Sequence, residues 1–208
     1  MLVLKIDKNN FEPSSLDKVG EILKVGGIVI FPTDTVYGIG CDPFKEKSVA
    51  RIYELKKREL NKPFPILLSN INVAHKITTL NKYEEVIVNK FWPGPLTLVV
   101  TPKIKFLNYF LNAEGKVAIR VPNNPIPRRL AEYTSGMLVG TSANISGMKS
   151  PTTASEALSY ITDVDAVIDS GPSDTNYSST IIEIVGKKIK LIREGPIAVS
   201  EIERELEF

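Results

Sequence analysis

Short apolar runs recur along this chain, and each closes on a proline, a glycine or a hydroxyl-bearing residue. Every run is well below the ~20 residues that span a bilayer. Some runs are separated by stretches whose apolar residues repeat at helical spacing, while others follow one another across a turn. Alternation of strand and helix calls for an α/β fold. Direct succession of strands adds antiparallel neighbours, so the sheet is mixed rather than purely parallel. Binding loops in such folds gather at strand ends, which makes the residues that close each run the informative ones.

Residues 2–6 alternate apolar and polar side chains and read as a strand. Ser14 stands three positions before Asp17 and predicts a capping-box helix start. Leu16, Val19, Ile22 and Leu23 form its apolar stripe, and Gly26 and Gly27 stop it. Strands are expected at 28–31, 64–68, 96–101, 117–121, 166–169, 180–185 and 188–192, with another in "MLVG". Helices are expected at 45–57, 83–91 and 126–133. A further helix opens on Thr153 with Glu156 and runs through Tyr160, and a last one is capped by Ser200 with Glu203.

The 208 residues suffice for one domain with its own core, and 43% hydrophobic with 24% charged residues is globular composition. We therefore expect a single domain over 1–208. No repeat or linker interrupts the chain, and its start lacks the basic-then-apolar pattern of a signal peptide. A single cysteine, Cys41, fits a reducing, cytoplasmic setting. The formal charge of +2 does not by itself argue for nucleic-acid binding.

Four strand ends combine an apolar run with polar chemistry: "FPTDTVYG", "VAIRVP", "GTSANISG" and "NYSSTI". Taken singly, each reads as a turn, because Ser, Thr and Asn close local backbone turns. Arg120 is the most informative residue. Strand alternation puts Val117, Ile119 and Val121 on one face, with Ala118 and Arg120 on the other. An arginine there pairs with a carboxylate of the protein or binds an anionic ligand, since its planar fork suits carboxylate and phosphate. Lys56, Lys57 and Arg58 end a helix, where cations complement the dipole. They read as a solvated basic helix end or as a polyphosphate clamp, with Lys62 and Arg193 as further cations.

Absences narrow the chemistry. There is no P-loop, and "GIGCDP" lacks the third glycine of a dinucleotide fingerprint. His75 is the only histidine, in the polar context "NVAHKI", and reads as a surface or helix residue. With Cys41 alone, neither a zinc site nor a Ser–His or Cys–His nucleophile can be assembled. Catalysis would rest on positioning and electrostatics, with no metal held by the protein.

In order along the chain, "FPTDTVYGIG", Lys56-x-Arg58, "FWPGPLTLVV", "VAIRVPNNP", Ser142-x-Asn144 in "TSANISG", "SST" and "LIREGP" resemble the YrdC family of threonylcarbamoyl-AMP synthases. The resemblance runs from about residue 15 to 200. It implies a twisted, open mixed sheet with flanking helices and a large concave cleft. It implies a nucleotidyltransferase that makes threonylcarbamoyl-AMP and pyrophosphate from L-threonine, bicarbonate or CO2, and ATP with Mg2+. A downstream transferase complex would then modify an adenosine of tRNA, with weak tRNA binding as a further expectation.

By this resemblance Thr35, Arg120, Gly140 and Ser179 fall at threonine-binding positions. Lys56, Arg58, Lys62, Lys116, Ser142, Asn144, Ser150 and Arg193 fall at or near ATP-binding positions, with Lys56 and Arg58 positioning the reactants. Tyr37 is expected to line the pocket, and no general base is identified; Asp34 reads as a turn residue. Two departures stand out. Pro65 falls inside a strand where it removes a ladder donor, which weakens the Lys62 assignment. Longer relatives continue into a linker and second domain where this sequence ends.

Three rival readings stand beside it. An RNA-binding module lacks a stacking-aromatic motif to support it. The hydrogenase-maturation carbamoyltransferases and the riboflavin-pathway synthase of similar fold carry accompanying motifs not seen here. A purely structural protein would have no use for so many polar strand ends.

Overall fold

A computed structural model describes residues 1–206. In chain order the described strands and α-helices are β1 (Leu2–Lys5), α1 (Asp17–Lys24), β2 (Val29–Phe31), β3 (Gly38–Gly40), α2 (Glu46–Leu55), β4 (Ile66–Leu68), α3 (Ile71–Ile77), α4 (Lys82–Phe91), β5 (Leu96–Val100) and β6 (Val117–Arg120). They continue as α5 (Pro125–Glu132), β7 (Met137–Val139), β8 (Thr141–Ser142), α6 (Ala154–Tyr160), β9 (Ala166–Asp169), β10 (Thr180–Val185), β11 (Lys188–Arg193) and α7 (Val199–Glu205). No helix among the described residues is long and apolar enough to cross a membrane.

The strands form two mixed sheets, in the orders β1-β9-β2-β3-β8 and β11-β10-β5-β6-β4-β7. In the first, β1, β9 and β2 run parallel, while β3 is antiparallel to both β2 and β8. In the second, β5 is parallel to β10 and antiparallel to β6, and β4 is parallel to β6. The mixed α/β architecture is as expected, and its two sheets meet where the Val139 N–H donates to the Cys41 carbonyl at 3.0 Å. Gly40 permits that approach, because a Cβ there would lie 1.8 Å from the Val139 carbonyl oxygen.

Strand alternation divides the core. Ile28 and Ile30 join a large cluster with Ile39, Ile52, Ile66, Leu98 and Ile119. Val29 and Phe31 face the other way, toward Leu16, Val19 and Leu23 of the α1 region and Leu130 of α5. Burying such side chains yields about 1.5–3 kcal/mol each, so both clusters fix the sheets whose polar ends build the cleft.

Several local expectations shift. Ser14 does not cap α1; the chain first makes a 3-10 turn, Pro13–Leu16, and Leu16 makes no side-chain cap. Gly26 ends α1 at φ 92, a left-handed conformation glycine adopts cheaply. Pro65 sits just before β4 rather than within it, so no ladder bond is lost, and its carbonyl accepts from the Gly140 N–H at 3.1 Å. At α6, Thr153 caps as expected, but Glu156 accepts from Thr152 rather than closing a reciprocal box. The cap of α7 lies at Ala198, whose N–H donates to Glu201; Ser200 already belongs to the helix. Helix α3, which carries His75, and the Asn81–Glu84 capping box of α4 were not anticipated. The "GIG" segment, absent from the expected strands, is a buried strand.

Candidate functional site

Strand ends from both sheets converge on a cavity of about 450 Å³. Its polar walls include Thr33, Thr35, Thr97, Ser142 and Ser179, and its cations are Arg58, Lys116, Arg120 and Arg193. Apolar side chains of Phe31, Val36, Leu67, Val99, Ile181 and Ile192 complete it.

Arg120 ends β6, with Ala118 beside it on the cleft face and Val117 and Ile119 fully buried behind, as alternation required. Its Nε donates to the Gly94 carbonyl at 2.9 Å, and one Nη donates to Thr35 Oγ1 at 3.3 Å. The other Nη pairs with Asp34. Of the two readings of Arg120, the ion pair is the one observed. It has a carboxylate partner, and of its five N–H groups these three contacts leave two unspent. Asp34, read as a turn residue, is a buried counter-ion whose Oδ2 has no hydrogen-bond partner. Burial pushes the Arg120 pKa down, and Asp34 opposes that shift.

Lys56 and Arg58 are separated in role by the residue between them. Helix α2 ends at Leu55, and Lys57 takes φ 49, a left-handed conformation rare outside glycine. That turn leaves Lys57 exposed and brings both neighbours inward. Lys56 is 1% exposed and is not a solvated helix end. Its ammonium donates to the Ser142 and Asn144 carbonyls at 2.5 and 2.7 Å. Burial, then Arg58, lowers its pKa to about 7. Lys56 thus holds the Ser142-x-Asn144 turn and lies behind the cavity wall rather than on it. Within the turn, Ser142 Oγ donates to Asn144 Oδ1 at 2.6 Å, and Asn144 Nδ2 donates to the Met148 carbonyl at 2.5 Å. Asn144 is buried in this network, and Ser142 faces the cavity.

Arg58 lines the cavity. Its Nε and Nη2 donate to the carbonyls of Lys62 and Pro63 at 2.7 and 3.2 Å, and it lies 5.2 Å over the Phe64 ring. Lys62 serves through that carbonyl, because its ammonium faces outward to Glu59 at 3.1 Å and is not at the cavity. Lys116 reaches the cavity, but Glu114 and Glu183 both pair with it and raise its pKa. Arg193 donates to the Ser179 carbonyl and, at 3.0 Å, to Ser179 Oγ. Burial, and repulsion from Arg120 and Arg58, pull its pKa down to about 10. Ser179 also bonds Thr97 Oγ1 at 2.8 Å. Thr97, a lone hydroxyl in an apolar strand, escaped notice in the sequence.

Gly140 lines the cavity, and its lack of a side chain lets Leu67 pack against it, since a Cβ would lie 2.3 Å from the Leu67 side chain. Ser150 is half-buried and lies outside the cavity lining. Tyr37 does not line the pocket. It is fully buried, and its hydroxyl donates to the Gly171 carbonyl at 2.7 Å and accepts from the Ser170 N–H. The structure thus brings Thr35, Arg58, Lys116, Arg120, Gly140, Ser142, Ser179 and Arg193 to one cavity. It places Lys56 and Asn144 just behind it, with Lys62 and Ser150 aside.

The molecule is thus a two-sheet α/β protein with a cation-lined cleft at its strand ends. The family model Sua5_yciO_yrdC, described as telomere recombination, matches residues 21–195, and this chain belongs to that family. A Methanocaldococcus jannaschii protein, named provisionally as a threonylcarbamoyl-AMP synthase, is 40% identical over 97% of each chain. The threonylcarbamoyl-AMP synthase of Pyrococcus abyssi is 32% identical over 86% of this chain and 54% of its own. The crystal structure of P. abyssi Sua5 complexed with L-threonine superposes with a TM-score of 0.92 at 28% identity. That match covers 99% of this chain and 61% of the Sua5 chain, so this chain spans less than two thirds of that relative.

Proposed function

We propose that this chain is a nucleotidyltransferase that forms threonylcarbamoyl-AMP and pyrophosphate from L-threonine, bicarbonate or CO2, and ATP. The observation that carries it is the convergence of Arg58, Arg120 and Arg193 on one cavity. Among the described residues only Arg120 of these three has a carboxylate partner there. Uncompensated guanidinium charges repel one another, and anionic substrates relieve that repulsion. The P. abyssi relative, crystallised with L-threonine, supports threonine as one of them.

In this reading the two unspent Arg120 N–H groups hold the threonine carboxylate. Arg58 and Arg193 face the phosphates, and Ser142 orients them. The carbamate oxygen of carboxylated threonine attacks the α-phosphorus, and the bond to pyrophosphate breaks. The protein needs no nucleophile of its own. Holding the reactants aligned supplies up to ~7–11 kcal/mol, and the guanidinium groups stabilise the developing charge.

Among the described residues no cluster of His, Cys, Asp or Glu could hold a metal ion, and Asp34 is committed to Arg120. In this reading Mg2+ enters as part of the nucleotide substrate, where it neutralises phosphate charge. The product passes to a transferase complex that modifies tRNA, in the cytoplasm.

The test incubates the protein with ATP, Mg2+, bicarbonate and threonine, and follows pyrophosphate as each component is omitted. Strict dependence on threonine and bicarbonate is expected. Pyrophosphate release without threonine contradicts the proposal.

A further inference from the structure

The hydrogen bonds of the 33–36 turn fix the direction of both threonine hydroxyl protons in it. Thr33 Oγ1 donates to the Val36 carbonyl at 2.7 Å. A hydroxyl has one proton and two lone pairs, so toward everything else Thr33 Oγ1 can only accept. It accepts from the Thr35 N–H at 3.0 Å, and its contact with Thr35 Oγ1 at 2.9 Å must then be a bond in which Thr35 donates. Thr33 is saturated. Thr35 Oγ1 has given up its proton and accepts from the Arg120 Nη at 3.3 Å. One lone pair remains, and no proton.

We infer that Thr33 is a positioning residue that sets the polarity of the threonine subsite. By spending its own proton on Val36, it turns the Thr35 hydroxyl into an acceptor that recognises the α-amino group of the ligand. This rests on the reading of the cleft as a threonine site and goes further, because it assigns the two ends of the amino acid. Arg120 offers two donors and Thr35 offers one acceptor beside them. An α-amino acid presents the complement, a carboxylate next to an N–H donor. A carboxylate placed on Thr35 would meet a lone pair and be repelled. The amino group, one carbon from the carboxylate, reaches Thr35 more directly than the more distant β-hydroxyl. Ser179 is not directionally fixed in this way, since either oxygen of its bond with Thr97 can donate.

The test is calorimetric titration of the whole chain with L-threonine, with 3-hydroxybutanoate (which keeps the carboxylate and hydroxyl but lacks the amine) and with ATP. The wild type is expected to bind 3-hydroxybutanoate about thirtyfold more weakly than threonine. Thr33→Val frees the Thr35 proton and is expected to weaken threonine about tenfold, to leave 3-hydroxybutanoate within about twofold, and to leave ATP unchanged. Thr33→Ser restores the wild-type ratio.

Equal wild-type affinities for the two ligands, a Thr33→Val ratio as in wild type, or a parallel loss of ATP binding each overturn the inference. Should Thr33→Val fail to fold, the wild-type ratio and its retention in Thr33→Ser decide. Threonine binding at the expected ratio without threonine-dependent pyrophosphate release supports this subsite and removes the proposed reaction. Absence of threonine binding overturns both.

Discussion

Arg120 and Arg58 enter the same cavity from different neighbourhoods, and their substitutions should separate. Arg120 is braced by Gly94, Thr35 and Asp34, whereas Arg58 is braced by carbonyls, the Phe64 ring and Tyr53 rather than by a carboxylate. Arg120→Ala is expected to raise the KM for threonine tenfold or more while changing the KM for ATP little. Arg58→Ala should do the reverse. Steady-state titration of each substrate against each variant checks this, and an unchanged threonine dependence in Arg120→Ala contradicts the assignment.

Lys56 makes a different prediction, about pH. Its pKa falls from 10.5 to about 7 on folding because burial penalises the charge. Between those values the unfolded chain binds a proton that the folded one does not, so this group makes stability rise with pH across that window. Below about 7 both states are protonated and the cost of burying the charge is fully present. Lys56→Met should flatten the stability–pH curve between pH 7 and 10 relative to wild type, as read from denaturant midpoints.

At the scale of elements, the end of α2 governs how the basic motif meets the cleft. Lys57 at φ 49 bears a strain that a β-branched side chain would increase. Lys57→Ile is expected to cost about 1–2 kcal/mol of stability, and Lys57→Gly to be tolerated, as urea unfolding would show. The left-handed residue was invisible in "ELKKREL", where all the cations looked alike. For the same reason the sequence could not distinguish Lys56, which ties a distant turn, from Arg58, which faces the cavity. Strand alternation was legible, and it placed Arg120 on the polar face. The Asp34 partnership was not, because 86 residues separate the pair and no local spacing encodes it. Helix starts were the least legible feature. Ser14 and Ser200 carry capping chemistry, but a 3-10 turn and a two-residue shift displaced the actual caps.

For the whole molecule, the two-sheet arrangement brings strand ends from both sheets to one concave surface, and the specificity of that surface follows from how its walls are satisfied. The cavity combines apolar walls with hydroxyls, and the Ser179–Thr97 pair, whose bond can run in either direction, is free to meet a substrate hydroxyl. Losing the substrate methyl should cost only ~1–3 kcal/mol, while losing its hydroxyl leaves site groups unpaired. Serine is therefore expected to be the leading misused substrate and valine a poor one. Equal pyrophosphate release with the two contradicts this.

The general class of fold was legible because short strands and amphipathic helices leave periodic marks. The division into two sheets was not, because it depends on the approach of Val139 to Gly40 across the chain. The central claim is that carboxylated threonine and the AMP moiety are joined in this cleft. Its most direct test is mass spectrometry of the product formed from ATP, L-threonine and 13C-bicarbonate. Threonylcarbamoyl-AMP one mass unit heavier than with unlabelled bicarbonate is expected, formed in step with pyrophosphate. Pyrophosphate accompanied by AMP alone, or an adenylate without the label, would contradict it.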